Sequence, residues 1–307
     1  MTLPSTNERL NTIRSLTDLG ALAEWYGVGS HHEAYFRAKR DWEIAVAAHQ
    51  RETPAPTGLP GSTIVIGGTD FHVHGITHAG TQAERSFLRD HVAQFLARDA
   101  AVYCEQGIRP LYFDGFDDVC EMDDYRWAMQ ECASMDIDSH LAEVPETGFD
   151  AVLEDIASVA GQFREATFSL IESGGSIYGD QFERTLGDVA AAFTTDHADL
   201  AIGESYTAFS LSRAASRNPT QLGALQRYYD RTFLPQPLER EWLRAHDPEL
   251  EIVTHARNGR MADYAVYHAG NAAEVHLIVG AAHQPGVRYY LERHQNDREL
   301  PEPFKLF

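Results

Sequence analysis

The chain has 307 residues, of which 46 are Asp or Glu and 25 are Lys or Arg, so its formal net charge is -21. This length fits one large domain or one domain with an insertion, and the 43% hydrophobic fraction is typical of a globular protein. A strongly negative chain repels polyanions, so we expect neither nucleic acid nor an anionic membrane as a partner.

The cysteines and the N-terminal residues bear on the cellular compartment in which the protein is expected. Cys104, Cys120 and Cys132 are an odd count without a C-x-x-C pair, which argues against a disulfide framework and against a thiolate zinc cluster. The first residues lack the apolar stretch of a signal peptide, and no window approaches the roughly 20 apolar residues of a membrane span. We therefore expect a cytoplasmic protein.

The first 52 residues predict an N-terminal helical extension. Residues 5–51 show the pattern of two amphipathic helices that are broken near Gly27-Val-Gly29, with Ser30 placed to cap the second helix. Residues 53–62 are rich in proline and glycine, which predicts a linker.

Residues 63–297 predict an α/β domain. Thr63–Ile66 and Phe71–Thr77 flank a Gly-Gly turn and predict a β-hairpin, Gln82–Arg98 has a helical period, and Ala100–Cys104 predicts a short buried strand. This order is that of a strand-helix-strand unit, whose strands pair in parallel.

Residues 117–246 show no convincing strand and predict a large helical insertion, with helices at 149–171, 181–193, 200–215 and 222–233. The α/β pattern then returns, with a helix at 258–268, a strand at 274–279, a helix at 286–294 and an irregular tail at 298–307. The fold class predicted is therefore α/β, with a central mixed, partly parallel sheet flanked by helices, the helical insertion and the N-terminal helical pair.

Three polar residues follow predicted strands directly or shortly: His78, Glu105 and His283. Ligands of open α/β sheets bind beyond the carboxyl ends of parallel strands, so we expect these side chains to meet. Both histidines stand three residues after a glycine, in Gly75-Ile-Thr-His78 and Gly280-Ala-Ala-His283, and glycine allows a tight turn and close approach to an ion.

Two neutral imidazoles and a carboxylate are ligands that zinc, manganese, cobalt and iron accept in proteins. A metal ion in such a site lowers the pKa of its bound water and polarises a carbonyl group, which suits hydrolysis of an amide or an ester. The sequence leaves open whether Glu105 binds the metal or acts as the general base.

The same residues resemble the TraB and Tiki group of metalloproteases and, more distantly, erythromycin-esterase-like proteins. The matching segments are IVIGGTDFHVHGITH, FLARDAAVYCEQGI, ARNGRMADYAV and VHLIVGAAHQPGV. The resemblance covers roughly residues 63–110 and 250–294. Here the first segment has HGITH in place of the family's more usual GTxH, and the C-terminal membrane segment of many members is missing.

That resemblance implies that His78, Glu105 and His283 are catalytic or metal-binding and that Arg257 and Asn258 are polar site residues. Arginine at such a site stabilises an oxyanion. The expected function is a metal-dependent hydrolase that cleaves a peptide bond and uses Mn, Co or Zn. The alternatives are an esterase-like hydrolase of small molecules and a non-catalytic protein that binds or sequesters a peptide. The sequence does not determine the oligomeric state.

Structural interpretations of these residues remain open. His72 and His74 share a strand face and form a second candidate metal pair. Asn258 suits a helix N-cap, and Arg257 suits an ion pair with an acidic neighbour. His31, His32 and His255 are expected to be solvated or capping, and Cys104 is expected to be packed in the core.

Heavy acidity with only Lys39 and Lys305 as lysines suits a protein that works in concentrated salt. Because the screening length falls to about 3 Å at 1 M salt, self-repulsion among the carboxylates weakens there. We expect the midpoint of thermal unfolding to rise strongly between 0.1 M and molar KCl. A midpoint that is indifferent to salt would contradict this halophilic interpretation.

Overall fold

The computed structural model describes residues 6–51, 58–135, 148–194 and 202–296. It has a mixed α/β fold, as predicted, with one five-stranded sheet flanked by helices. The strands are β1 (Ser62–Ile66), β2 (Thr69–Ile76), β3 (Ala101–Cys104), β4 (Val119–Glu121) and β5 (Glu274–Gly280). The helices are α1 (Thr6–Ser15), α2 (Leu19–Tyr26), α3 (His31–Arg51), α4 (Gln82–Leu96), α5 (Ile108–Tyr112), α6 (Asp124–Ser134), α7 (Gly148–Tyr178), α8 (Asp180–Thr194), α9 (Tyr206–Arg217), α10 (Leu222–Thr232), α11 (Gln236–Arg244), α12 (Pro248–Glu251), α13 (Arg257–His268) and α14 (Gln284–Gln295).

The strand order in the sheet is β1-β2-β5-β3-β4. β1 and β2 form the predicted antiparallel hairpin, and Gly67 and Gly68 both adopt positive φ (59° and 92°) in its turn. β2, β5, β3 and β4 are parallel to their neighbours, so β5 lies between two strands that precede it by more than 170 residues. This order places the carboxyl ends of four strands at one edge of the sheet.

Both faces of the sheet are covered by apolar side chains. On one face, Val102 and Ile278 pack with Leu88 and Val92 of α4 and with Leu222 of α10. On the other face, β2 and β5 pack against α13 and α14, through residues that include Phe71, Leu277, Met261 and Leu291. The middle of the chain therefore contributes to the same core as the strands, because Leu222 lies in it.

The N-terminal region has three helices, whereas two were predicted. The first predicted helix is interrupted between α1 and α2, where Asp18 caps α2 by accepting a hydrogen bond from the Ala21 amide at 2.7 Å. Gly27, at φ 64°, ends α2, and Ser30 accepts from the Glu33 amide at the start of α3. These helices share an apolar core with Leu234, Leu238, Trp242 and Leu243, and that core positions α11.

The prediction that residues 117–246 contain no strand is wrong, because Val119–Glu121 pairs in parallel with β3. Three residues are too few to show the alternation of a strand. This strand forms because β3, paired with β5 on one side, has a free edge on the other. The predicted helices of this region are otherwise present, although α9 begins at Tyr206 and residue 200 lies outside the described residues.

The helix predicted to begin at Asn258 begins at Arg257 and follows a π-helical turn, Ile252–Ala256. Such wider turns re-aim the side chains that follow them. Half of the predicted linker (residues 53–57 of 53–62) and the predicted tail lie outside the described residues. Among the described helices, none combines the length and the apolar character needed to cross a bilayer.

Candidate metal centre beyond the carboxyl ends of the strands

His78 lies on the loop after β2, in a left-handed conformation with φ 61°. The loop is anchored by Glu84, a fully buried carboxylate on α4 that accepts hydrogen bonds from the Thr77 amide (2.8 Å) and from the Tyr112 hydroxyl (2.5 Å). The conformation of His78 is rare for a residue with a side chain, and these contacts hold it in place. The side chain of His78 is 38% exposed and reaches solvent.

Glu105 directly follows β3 and lies at the centre of the site. Its backbone amide continues the sheet by donating to the Ile278 carbonyl at 2.9 Å, and its side chain is 5% exposed. Oε2 accepts a hydrogen bond from the Gly280 amide at 2.7 Å and lies 3.4 Å from Nε2 of His78. Oε1 accepts from Arg257 at 2.9 Å and lies 3.5 Å from Nε2 of His283. One imidazole therefore faces each carboxylate oxygen.

Burial raises the pKa of a carboxyl group, but the charge that His283 carries when protonated, the hydrogen bond from His78, and the permanent charge of Arg257 outweigh it at Glu105. Together they hold the pKa of Glu105 well below its usual range. The carboxylate is consequently an anion at neutral pH. That state suits binding a cation better than accepting a proton.

Arg257 holds two buried carboxylates. Its guanidinium donates from Nε (3.0 Å) and Nη2 (2.5 Å) to Asp124, from Nη2 to Glu105, and from Nη1 to the Val253 carbonyl at 3.2 Å. Four of its five N–H donors already have protein acceptors, so the oxyanion role expected of Arg257 stays a prediction. The expected ion pair with an acidic neighbour is present, and Arg257 orients Glu105.

Asp124 was missed by the sequence analysis. It is fully buried, burial raises its pKa against the effect of Arg257, and its Oδ1 accepts from the Gln106 amide at 3.0 Å. The available signal was the acidic pair Asp123-Asp124 just after β4. That signal carries weight only once β4 is recognised as a strand whose carboxyl end meets those of its neighbours.

His283 lies between β5 and α14, and Asn258 fixes its ring. Oδ1 of Asn258 lies 2.8 Å from Nδ1 of His283, while Nδ2 of Asn258 donates to Gln236 at 3.0 Å. With the amide so oriented, Nδ1 of His283 is the donor and its Nε2 carries the lone pair toward Glu105. Burial lowers the pKa of His283 to about 4, so the ring is neutral at neutral pH. Asn258 is thus a positioning residue; the N-cap alternative is wrong, because the helix makes no side-chain cap there.

The two glycines of the G-x-x-H segments are required for space, whereas a tight turn was predicted. Neither Gly75 nor Gly280 has positive φ. A Cβ at Gly280 would lie 2.8 Å from Nε2 of His78, and a Cβ at Gly75 would lie 2.8 Å from the Ala281 Cα. Their missing side chains let the two histidine loops approach each other and Glu105.

The five residues expected at the site are therefore close together: His78, Glu105, Arg257, Asn258 and His283. Of the expectations for the other histidines and for Cys104, the one for His255 is wrong. His31 and His32 are exposed and Cys104 is fully buried, as predicted, but His255 is buried beside Gln236, whose Nε2 lies 3.4 Å from its Nδ1.

The alternative pair, His72 and His74, lies within β2, on the face of the sheet that α4 covers. Among the described residues, the group of three potential ligands whose atoms all lie within 4.8 Å of one another is His72, Glu274 and His276. His74 is not part of it, because its Nδ1 contacts the Pro60 carbonyl and its Nε2 contacts His276, each at 2.9 Å. Burial lowers the pKa of His74 to about 3 and that of His276 to about 4.

We predict that Arg257→Leu lowers the free energy of unfolding by about 3–5 kcal/mol, since it leaves two buried carboxylates without their counter-ion. Urea unfolding measures the change. The matched control is Arg37→Leu on α3, where an exposed pair with Glu33 at 2.7 Å contributes less than about 1 kcal/mol. Equal losses in the two variants would show that the buried network does not stabilise the fold.

We also predict acid sensitivity from the buried histidines. The folded pKa values of His276 and His283 are about 4, below the ordinary 6.5, so between these values the unfolded chain binds protons that the folded chain excludes. The free energy of unfolding, measured with chelator present, should fall as the pH drops from 6.5 to 5. His283→Gln should reduce the slope and the exposed His31→Gln should not; a flat profile for the unmodified chain would refute the prediction.

Comparison of the chain with protein-family models, with curated proteins and with solved structures finds no match. The resemblance to the TraB and Tiki metalloproteases therefore rests on the quoted residues alone.

Proposed function

We propose that this protein is a metal-dependent hydrolase that cleaves a peptide bond or a related amide or ester bond at the Glu105 site. The observation that carries the proposal is the buried Glu105 carboxylate, with an imidazole Nε2 at 3.4 Å from one oxygen and at 3.5 Å from the other. The resemblance to the TraB and Tiki metalloproteases points to the same residues.

The donor chemistry of the site fits a divalent ion such as Mn, Co or Zn. Two ligands of a tetrahedral ion, each about 2.1 Å from it, lie about 3.4 Å apart, close to the separations between Glu105 and the two histidines. Nε2 of His283 presents a lone pair to a carboxylate oxygen, and such a pair of acceptors favours a cation between them. When bound, the ion would supply Lewis acidity and a water of lowered pKa.

The chain's own residues hold these donors in place. The Gly280 amide and Arg257 fix both oxygens of Glu105, and Asn258 fixes the ring of His283. The low pKa of Glu105 supports its role as the anionic ligand, since a general base works best with a pKa near the working pH. His78 is the exposed member and borders the solvent-accessible side, where substrate would enter.

The position of His78 decides whether one ion can contact all three proposed ligands. It faces Oε2 of Glu105 while His283 faces Oε1, so a shared ion requires the exposed His78 ring to move toward His283. Because the ring lies on a loop and the side chain is 38% exposed, we assign His78 as the third ligand.

The experiment measures the metal content of the purified chain and its activity on peptide and ester libraries, before and after chelation and metal add-back. We expect activity to be lost on chelation and restored by Mn, Co or Zn. His78→Ala, Glu105→Ala and His283→Ala should abolish activity and remove the ion bound at the Glu105 site. Asn258→Ala should weaken metal binding by about 10–100-fold, as for other residues that orient a ligand.

The matched control is His31→Ala, at an exposed position on α3, which should retain metal and activity. Turnover that survives chelation, or in Glu105→Ala, would overturn the proposal. Hydrolysis of esters without any peptide cleavage would identify the small-molecule esterase instead. Peptide binding without turnover would identify a binding protein.

A further inference from the structure

A second cluster of ligand-type side chains lies on the α4 face of the sheet, at the amino end of β5 and the middle of β2. It consists of His72 on β2 and of Glu274 and His276 on β5, and we call it the His72 cluster. His72 and His276 are cross-strand partners in the parallel register, and their rings stack with centroids 4.7 Å apart. The Glu105 site lies beyond the carboxyl ends of these strands.

The ligand atoms of this cluster are close enough to share one ion. Oε1 of Glu274 lies 3.1 Å from Nε2 of His276 and 3.6 Å from Nε2 of His72. These separations bracket the value of about 3.4 Å for two ligands of a tetrahedral ion. His72 and Glu274 are about one quarter exposed, so water can complete the coordination.

The hydrogen bonds around the cluster determine where the lone pair of His276 points. The Pro60 carbonyl can only accept, so Nδ1 of His74 is the donor and Nε2 of His74, in the neutral ring, is an acceptor. Nδ1 of His276, at 2.9 Å from that nitrogen, must then donate to it. Nε2 of His276 is left with its lone pair directed toward the Glu274 carboxylate.

His276 is 3% exposed, and its Nε2 is fully buried without a hydrogen-bond partner. Phe95 stacks on the ring at 3.6 Å and prevents it from turning away. A buried nitrogen lone pair that faces a carboxylate oxygen is unfavourable unless a cation lies between them.

The surrounding residues resemble the outer partners of a metal site. Oγ1 of Thr63 lies 2.9 Å from Nδ1 of His72 and allows His72 to present Nε2 inward. Arg98 donates to both oxygens of Glu274 at 3.0–3.3 Å and orients the carboxylate from the solvent side. Ligating histidines and carboxylates are commonly held in this manner by outer partners.

We propose that His72, Glu274 and His276 form a second metal site, which binds a divalent transition metal such as Zn²⁺ and clamps β2 to β5. The donor set of two imidazoles and one carboxylate with water-accessible space suits zinc. The ligands of this site belong to the strands themselves and not to the loops that carry His78 and His283, so its role is structural: the ion would hold together the two strands whose carboxyl ends support those loops.

The test uses the full chain carrying His78→Ala and His283→Ala, which removes the imidazoles of the Glu105 site and keeps the Glu105–Arg257 pair. After chelator treatment, Zn²⁺ is titrated by calorimetry and thermal unfolding is followed with and without Zn²⁺. We expect one bound Zn²⁺ per chain and an unfolding midpoint raised by Zn²⁺. Adding His72→Ala or Glu274→Gln should weaken binding at least about 100-fold and remove the rise, while Thr63→Val should weaken it by about 10–100-fold.

Glu274→Gln preserves the shape of the side chain, and circular dichroism of the metal-free variants checks that they fold. The matched control, His31→Ala in the same background, should bind Zn²⁺ unchanged. The proposal is overturned if the background chain binds no Zn²⁺, which would leave a proton as the bridge, or if Glu274→Gln binds it equally well. Since the background already lacks both histidines of the Glu105 site, this result is independent of whether the proposed hydrolase activity exists.

Discussion

The ion-pair network of Glu105, Arg257 and Asp124 is the interaction on which the candidate active site depends. Two buried carboxylates share one guanidinium, and the Gly280 amide supplies a further donor to Glu105. Buried charges are tolerated only when they are paired and hydrogen-bonded, so each member of the network requires the others. The network joins β3, β5, α6 and α13, and it fixes the carboxylate before any ligand arrives.

The order of the strands explains how residues far apart in sequence reach this network. β5 inserts between β2 and β3, so the loops after β2, β3 and β5 emerge side by side at one edge. His78, Glu105 and His283 lie on these loops, and Gly75 and Gly280 provide the space in which the loops approach. The π-helical turn Ile252–Ala256 precedes Arg257 and Asn258, which reach into the site from the helix above that edge.

β2 and β5 contribute histidines to two clusters, one beyond their carboxyl ends and one on the α4 face of the sheet. At the carboxyl ends, His78 and His283 flank Glu105 and one ring is exposed, which suits chemistry on a substrate. On the α4 face of the sheet, His72 and His276 flank Glu274, and the buried ring of His276 suits a structural role. The exposed ring of His78 can leave an open position for substrate, whereas Phe95 stacks on the ring of His276 and holds it in place.

The sequence by itself determined the local elements and the identity of the central side chains. The Gly67-Gly68 turn, the period of α4 and the apolar runs of β3 and β5 are local properties, so the hairpin and the strand-helix-strand unit were predictable. His78, Glu105 and His283 were predictable because ligands of α/β sheets gather beyond the carboxyl ends of parallel strands. Their roles in catalysis remain a prediction.

Only the tertiary structure decided the partners of these side chains. The pairing of β4 with β3 brings Asp124 beside Arg257, and this contact makes Arg257 the counter-ion of two carboxylates. The parallel register of β2 and β5 places His276 opposite His72, so the second cluster forms from strands that are some 200 residues apart. Such contacts depend on which strand edges and faces meet, and no local pattern of residues records that choice.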